Sequence, residues 1–228
     1  SGAWSYQSRI MEHGFRKPRG YPGDYALLEN IYDKTVIHES PGLGRYFDQY
    51  FLNNAYAESV RSRKDKMVEI LKTRLRGCAS PINVLNIACG ACREVRELFT
   101  QETSLCERMI LSALDHDQEA LDFAQQKLNA VAPQLRVSFV QEDVLNLFKE
   151  SQRQSKLLRR QHLIYSIGLA DYLPDRVLKK LINFCLSLLH PAGQLIIAHK
   201  DRYKDQQAPL PPDWFCDWRF VHRSQSDM

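Results

Sequence analysis

From residue 82 onward the chain alternates short apolar segments with longer amphipathic ones, and this alternation limits the fold more than any other feature. Short runs rich in Val, Ile and Leu are typical of buried strands, whereas the segments between them have helical periodicity. The strand candidates are residues 82–88, 109–115, 135–143, 161–168 and 193–200. Strands that alternate with helices form a parallel sheet covered on both faces. The sequence therefore predicts an α/β fold.

Residues 1–77 contain no convincing strand and predict a helical segment rich in Tyr and Phe. The basic stretch 61–76 places apolar side chains at helical spacing, so we interpret it as an amphipathic helix with a solvated basic face. We therefore divide the chain into a helical lid or substrate region, residues 1–77, and an α/β domain, residues 78–228. Near the C-terminus, residues 214–224 alternate in the manner of a strand.

The composition excludes several classes of protein. With 44% hydrophobic and 25% charged residues, the 228-residue chain has the composition of a soluble globular protein. No apolar run approaches the roughly 20 residues that span a bilayer, and we recognise no signal peptide. Six scattered cysteines without a signal peptide favour the reducing cytoplasm. The net charge of +4 is too small to indicate a nucleic-acid binder by itself.

Cys89 and Cys92 form a single CxxC pair. We expect no metal site, because neither a second pair nor a Cys/His cluster at ligand spacing accompanies it. A thioredoxin-like role is disfavoured as well, since no Trp flanks the pair.

The residues that follow the strand candidates predict a ligand site. In an open α/β sheet, ligands bind at the carboxyl ends of the strands, where the strand order reverses. The first candidate ends in a loop of small residues around Gly90, the second ends at Asp115, Asp143 follows the third, and Ser166 lies near the end of the fourth. A dinucleotide fingerprint needs three glycines, so that cofactor class is disfavoured. Two acids and a small loop suit a nucleoside that carries an amino-acid tail.

Each of these residues also has a simpler interpretation. Asp115 and Asp143 could cap helices, and Gly90 could be an ordinary turn glycine. The order of the four features along the chain is what favours a ligand site. Carboxylates would accept hydrogen bonds from the ribose hydroxyls and the adenine amino group, and backbone groups of the first loop would hold the tail.

Residues 82–200 resemble a class I S-adenosylmethionine-dependent methyltransferase. The resemblance rests on four stretches, VLNIACGACREV, ALDHDQEALDFA, VQEDVLNL and LLHPAGQLIIAH. It implies a Rossmann-like, mostly parallel sheet with helices on both faces, and S-adenosylmethionine as cofactor. The chain departs from the family at Ala88 and Ala91, where glycines are common, and at His162, where an Asp often begins the fourth strand.

The resemblance also implies roles for individual residues. Asp115 would bind the ribose hydroxyls, with His116 beside the nucleoside, and Asp143 would bind adenine together with the backbone of Val144. Arg93 could reach the cofactor carboxylate or could equally form a surface ion pair. The residues expected around the methionine portion are Ala88, Cys89, Gly90 and Ala91, and those expected near the transferring methyl group are Ser166, Ile167 and Gly168.

A narrower resemblance comes from GFRKPRGYPGDYALLENIY and YSIGLADYLPDRVLKKL. Both are similar to a bacterial subgroup that includes synthases of 3-hydroxy fatty acid methyl esters, which serve as quorum-sensing signals. It implies O-methylation of a small acidic substrate, and a carboxylate acceptor is already ionised and needs no general base. Some relatives carry an N-terminal cyclic-nucleotide-binding domain, so we expect a domain of a longer chain. The C-terminus would hold the beginning of the sixth strand, with the seventh strand missing.

The stretch 16–25 suggests a lid, because its Gly-Tyr-Pro-Gly pattern predicts a tight turn that presents aromatic hydroxyls. We hypothesise that Tyr21 and Asp24 contact the cofactor, with Tyr21 also acting in catalysis. The alternative is an ordinary N-terminal turn that packs Tyr on the core. The residues expected to contact the acidic substrate are Arg16, Arg19 and Tyr25.

Three further residues follow later strands. Asp171 and Tyr172 come just after the fourth strand candidate, and we expect them to orient the acceptor as catalytic residues. His199 ends the fifth and is expected at the substrate, as a base if the acceptor were a hydroxyl or an amine. The alternatives are a helix cap for Asp171 and a rim position for His199.

Two other functions stay open. An RNA or protein methyltransferase is one, although the chain lacks the Asn/Asp-Pro-Pro-aromatic motif of amino-methylating nucleic-acid enzymes and a Pro-Cys nucleophile. A domain that binds the cofactor without catalysis and regulates a partner is the other. Salt-dependent RNA binding would identify the first of them.

Overall fold

The computed structural model describes residues 6–37, 41–147, 160–201 and 216–227. The chain divides into two compact units, Lys64–His199 and a second unit formed by Ser1–Arg63 with Lys200–Met228. The boundary between Arg63 and Lys64 falls within a single long helix, α4, which covers Ala55–Arg76. The predicted functional division at residue 77 stays a prediction.

The unit Lys64–His199 contains a parallel sheet of five strands in the order β3-β2-β1-β4-β5. All four strand pairings are parallel, which confirms the predicted α/β fold. The chain passes from β1 to β2 and β3 on one side and then to β4 and β5 on the other, so the strand order reverses between β1 and β4. The strands are β1 Ile82–Ile87, β2 Met109–Asp115, β3 Arg136–Gln141, β4 Gln161–Ser166 and β5 Leu189–Ile197.

Helices cover both faces of this sheet, because each strand turns alternate apolar side chains to opposite faces. One core contains Leu71 of α4, together with apolar residues of the next two long helices, which pack on Val84 and Leu111. The opposite core contains Leu85 and is closed by the last helix of the unit. These helices are α5 Arg93–Gln101, α6 Gln118–Val131, α7 Val144–Leu147 and α8 Asp175–Leu188, with short 3-10 helices at Thr103–Arg108 and Ala170–Tyr172.

The second unit is helical in its N-terminal part, as predicted. It contains α1 Arg9–Arg16, α2 Tyr25–Asp33, α3 Leu43–Leu52 and the first part of α4. Ser8 caps α1 by accepting the Met11 amide N–H at 3.0 Å and donates its hydroxyl to Asp48. Among the helices that the structure describes, none combines the length and hydropathy required of a membrane-spanning segment.

The expected strand near the C-terminus is wrong for the described residues 216–227. These residues hold a 3-10 helix, Gln225–Asp227, and an isolated bridge from Arg223 to Asp201. Asp217 has a left-handed backbone with φ of 49°, which interrupts an extended segment. Trp218 stacks on Phe51, so the alternating aromatic residues reflect packing on helices. Residues 214 and 215 lie outside the described ranges.

The fifth strand begins at Leu189, four residues earlier than predicted, and includes Pro191 and Gly193. Proline is tolerated there because β5 is an edge strand of the five-stranded sheet and Pro191 falls between its paired residues Leu189 and Gln194, where the described residues of β4 offer it no partner. The pairing with β4 shifts register between Gln161 and Leu163, which accommodates the additional residues. Pro191 and Gly193, residue types that usually signal a turn, therefore mark an irregularity inside a strand.

Gly193 should tolerate no side chain. A Cβ atom there would lie 2.7 Å from the Gln161 carbonyl oxygen and 2.9 Å from that of His190. We expect Gly193→Ala to lower the free energy of unfolding by about 1–3 kcal/mol, the usual range for overpacking. Denaturant unfolding would measure this. Gly77→Ala is the matched control, since a Cβ at Gly77 would meet its nearest atom at an ordinary 3.5 Å. Equal stability of the two variants would contradict the prediction.

Candidate cofactor site

A cavity of about 220 Å³ lies where β1, β2 and β3 end. Five residues that the sequence predicted for cofactor binding line it together, namely Ala88, Asp115, His116, Asp143 and Val144. The other walls of the cavity are mostly apolar and suit the flat faces of a nucleobase, whereas the carboxylates suit the polar edge of the base. The remaining lining residues are Ile87, Leu114, Glu142, Leu145, Leu169 and Leu173.

The loop between β1 and α5 is a tight turn with three left-handed residues. Ala88, Gly90 and Cys92 have φ values of 54°, 50° and 48°. The Cys89 amide N–H donates to the Leu114 carbonyl oxygen at 3.0 Å, and the Cys92 amide N–H donates to the Cys89 carbonyl at 2.9 Å. The loop is therefore fixed both to itself and to the end of β2.

Asp115 connects two loops of the site. Its Oδ2 accepts the Gly90 amide N–H at 2.7 Å, and its Oδ1 accepts the Asp117 amide N–H at 3.0 Å. The residue is only 4% exposed. Each carboxylate oxygen has more than one lone pair, so these bonds leave acceptor capacity for a ribose diol. Asp117, and not Asp115, caps α6 with its side chain.

His116 is coupled electrostatically to the same carboxylate. Its Nδ1 lies 3.2 Å from Asp115 Oδ1. The hydrogen bond to Asp115 raises the pKa of His116 above its usual value, against the opposing effect of burial, and the charges of Asp115, Asp117 and Asp143 add to the increase. The imidazole therefore favours its protonated form more than an ordinary histidine does.

Asp143 is exposed and accepts the Leu145 amide N–H at 2.7 Å through Oδ1. It thus forms the cap at the start of α7 that the sequence allowed as an alternative, while it also lines the cavity. A cap and an adenine contact are compatible, because a carboxylate has two oxygens.

Ser166, the last residue of β4, has a buried hydroxyl that finds no hydrogen-bond partner among the described residues. The side chain is only 2% exposed. A buried polar group without a partner costs roughly 1–3 kcal/mol, so a ligand that bonds to it would recover this free energy. The orphaned hydroxyl, the acid-lined cavity and the left-handed loop fit a nucleoside cofactor with an amino-acid tail. Ile167 and Gly168, half-buried, follow directly.

Four further predicted residues lie within the unit Lys64–His199. Arg93 forms an ion pair with Glu97, with Nε 2.6 Å from Oε1, which is the alternative that the sequence left open for it. Asp171 is buried and Tyr172 half-buried in the 3-10 helix after β4. His199 lies two residues beyond β5 and is half-buried. Their predicted contacts with cofactor and acceptor stay predictions.

The thiols of the loop are poorly suited to nucleophilic chemistry. Cys89 is 7% exposed and Cys92 is fully buried. Burial raises the pKa of Cys89 well above its ordinary value, and a hydrogen bond with Cys92 adds to the increase. The ranges that the structure describes contain no group of three His, Cys, Asp or Glu residues that could hold a metal ion.

In the N-terminal unit, Asp24 has a clear structural role. It caps α2 by accepting the Leu27 amide N–H at 2.9 Å, and its second oxygen lies 2.7 Å from His13 Nε2. Arg19 lies over the ring of Tyr25 at 4.9 Å. Arg16 pairs with Glu12 at 2.8 Å. Tyr21 is half-buried, and the proposed contacts of this segment with cofactor or substrate stay predictions.

Sequence reasoning missed a buried polar cluster behind the loop, formed by Asn86, Glu94 and Tyr165. Glu94 precedes Leu98 by one helical turn and therefore shares the apolar stripe of α5. A charged residue on an apolar stripe was the signal available in the sequence.

The sequence matches no protein-family model and no curated protein. Solved structures, however, match over most of the chain. A possible exported protein from Bordetella parapertussis matches 95% of this chain and 76% of its own, with 18% identity and a TM-score of 0.66. The S-adenosylmethionine-dependent methyltransferase SibL matches 97% of this chain with 15% identity and a TM-score of 0.53. A SAM-dependent methyltransferase from Agrobacterium tumefaciens matches 62%, with 14% identity and a TM-score of 0.50.

The chain has the class I methyltransferase fold. It spans only 60% of SibL and 47% of the Agrobacterium enzyme, so their activities do not transfer to it with the fold. The predicted cytoplasmic location stays a prediction, since one similar structure is described as a possible exported protein. The likeness to synthases of 3-hydroxy fatty acid methyl esters also stays a prediction.

The left-handed conformation of Ala88 makes a direct prediction. A left-handed conformation costs an L-residue roughly 1–2 kcal/mol, whereas Gly adopts it without strain. Gly also makes the unfolded chain more flexible, and this lowers the free energy of unfolding by about 0.4–1 kcal/mol. We expect Ala88→Gly to raise the free energy of unfolding by about 0.5–1 kcal/mol in denaturant titration. Ala91, in the same loop with a negative φ, is the control, and Ala91→Gly should be destabilising. A destabilised Ala88→Gly variant would be the contrary result.

Proposed function

We propose that this protein is an S-adenosylmethionine-dependent methyltransferase. The observation that carries the proposal is the cavity at the carboxyl ends of the strands, which gathers Ala88, Asp115, His116, Asp143 and Val144. It lies in the part of a class I methyltransferase fold where this class of ligand is expected. Acids and apolar side chains line it together, a combination that favours an adenosine moiety over a pyrophosphate.

In this proposal the protein acts mainly by positioning. When bound, the cofactor supplies an electrophilic methyl group on a sulfonium centre. Asp115 would accept hydrogen bonds from the ribose hydroxyls, Asp143 and the Val144 backbone would bind adenine, and the loop around Gly90 would hold the methionine portion. Ser166 lies at the end of β4, where its orphaned hydroxyl offers a donor to the ligand. Holding the acceptor in line with the methyl group can remove roughly 7–11 kcal/mol of barrier in favourable cases.

Calorimetric titration with S-adenosylhomocysteine tests the cofactor site. We expect the wild type to bind and Asp115→Ala to bind at least 30-fold more weakly. The reason is that the variant loses charged hydrogen bonds to the ribose, worth about 1.5–3 kcal/mol each, as well as the bond that holds Gly90. Asp122→Ala is the control, since Asp122 is exposed on α6. A folded wild type that does not bind, or an Asp115→Ala variant of unchanged affinity, would contradict the proposal.

For the acceptor we propose a small carboxylic acid, in the class of the 3-hydroxy fatty acids. Three features of the sequence support it, namely the basic and aromatic stretch 16–25, the SIGLADY segment in place of a Pro-Pro motif, and the resemblance to the ester synthases. An ionised carboxylate attacks without a general base. Asp171 and Tyr172 would orient the acceptor, Tyr21 and Arg19 would contact it from the lid, and His199 would lie at its rim.

The acceptor class is tested by transfer of an isotopically labelled methyl group. We expect label on 3-hydroxy fatty acids and none on the matched primary amides, which keep the chain but lack the anionic oxygen. Tyr21→Phe should reduce turnover, because it removes the hydroxyl proposed to contact the ligands. Label on RNA or protein and not on the acids would refute this acceptor while leaving the methyltransferase itself in place.

A further inference from the structure

The cluster behind the first loop contains a deeply buried carboxylate. Glu94 lies in the first turn of α5 and is only 3% exposed. Its Oε1 accepts two hydrogen bonds, one from Asn86 Nδ2 at 2.8 Å and one from the Tyr165 hydroxyl at 2.7 Å. Nothing in the proposed binding of the nucleoside or in methyl transfer requires this group.

The carboxylate has no cationic partner among the described residues. The titratable groups that face it are Tyr165 from β4, Cys89 and Cys92 from the loop, and Glu97 from its own helix, and Asn86 faces it from β1. The neighbouring cations are engaged elsewhere, since Lys64 of α4 and Arg93 both pair with Glu97.

Burial raises the pKa of Glu94 above its ordinary value, and the charge of Glu97 adds to the increase. The hydrogen bonds from Tyr165, its own backbone N–H and Asn86 act in the opposite direction. A buried carboxylate without a cation is costly, and proteins normally neutralise it with a partner or a proton.

The cluster lies at the strand pair where the strand order reverses, next to the loop between β1 and α5. Asn86 of β1 and Tyr165 of β4 are directly paired across the two strands between which the strand order reverses. Residues 88–91, which would hold the methionine portion of the cofactor, end three positions before Glu94. Asn86 Nδ2 also lies 4.0 Å from the sulfur of Cys92, the last residue of the loop between β1 and α5. The methionine portion carries an ammonium group.

We propose that Glu94 supplies the counter-charge for the ammonium group of the bound cofactor, and that Asn86 and Tyr165 are positioning residues for its carboxylate. The inference rests on the proposed function, because it presupposes a cofactor with an amino-acid tail. It has a thermodynamic consequence. At any pH where Glu94 still carries a proton, an ammonium group beside it favours loss of that proton, so affinity for a ligand with this group rises with pH up to the raised pKa of Glu94.

A comparison of two ligands distinguishes the role of Glu94 as a counter-charge from a purely structural role. S-adenosylhomocysteine carries the ammonium group, whereas 5′-methylthioadenosine ends at the sulfur and lacks it. Glu94→Gln keeps an oxygen that can accept from Asn86 and Tyr165 but removes the charge. We expect this variant to bind S-adenosylhomocysteine at least tenfold more weakly and methylthioadenosine within twofold of wild type. Tyr165→Phe should show the same selectivity with a smaller loss.

Two further variants and one measurement on the wild type complete the test. Glu107→Gln, an exposed position, should leave both affinities unchanged, whereas Asp115→Asn should weaken both ligands because both contain the ribose. Calorimetry in two buffers of different ionisation enthalpy counts the protons released. Measured as the pH is lowered through the raised pKa of Glu94, the wild type should release more protons with S-adenosylhomocysteine than with methylthioadenosine, and this measurement needs no variant that folds.

The outcomes are distinguishable. Equal weakening of both ligands by Glu94→Gln, unchanged binding of both, or equal proton release by the wild type would each overturn the role of Glu94 while the cofactor site stands. If the folded wild type binds neither ligand, the proposed function itself fails, and this inference fails with it.

Discussion

The candidate site depends on one hydrogen bond, from the Gly90 amide N–H to Asp115 Oδ2 at 2.7 Å. It joins the loop after β1 to the end of β2, so the two features that the cofactor would contact are held in one geometry. Asp115 is buried, and a charge-assisted bond of this kind is stronger than one between neutral groups. The same carboxylate holds the Asp117 amide and raises the pKa of His116, so the loop before α6 depends on it too.

The distribution of charge explains why a single glycine suffices in the first loop. Asp115, Glu142 and Asp143 line the cavity. These acids would repel a pyrophosphate, which is the ligand that requires three glycines for close approach of the backbone. A cofactor with a sulfonium and an ammonium group has the opposite charge. The loop has one glycine where the dinucleotide fingerprint has three. The acids that favour a cationic ligand lie beside this same loop.

Much of this could be predicted from the sequence, because the decisive signals are local. The apolar run of β1 and the position of Asp115 at the end of β2 need no tertiary information. The start of β5 could not be predicted, since Pro191 is acceptable in an edge strand and at an irregularity of the pairing, and both depend on the neighbouring strand β4. The non-strand conformation around Asp217 depends on the packing of Trp218 on a distant helix. Glu94 was missed because a charged residue in a helix is normally solvated; its place on the apolar stripe of α5 was the one signal in the sequence, and the contacts with Asn86 and Tyr165 identify its role.

The strain of the first loop is itself an argument for a binding role. Ala88 and Cys92 adopt left-handed conformations without being glycine, and each such residue costs of order 1–3 kcal/mol. Such conformations persist only where the surroundings enforce them, and here the surroundings are identifiable. The Cys89 amide is tied to Leu114, the Gly90 amide to Asp115, and Asn86 and Tyr165 hold the helix that follows through Glu94. A loop that is fixed before the ligand arrives loses less conformational entropy on binding, so a loop built at this cost favours binding by preorganisation.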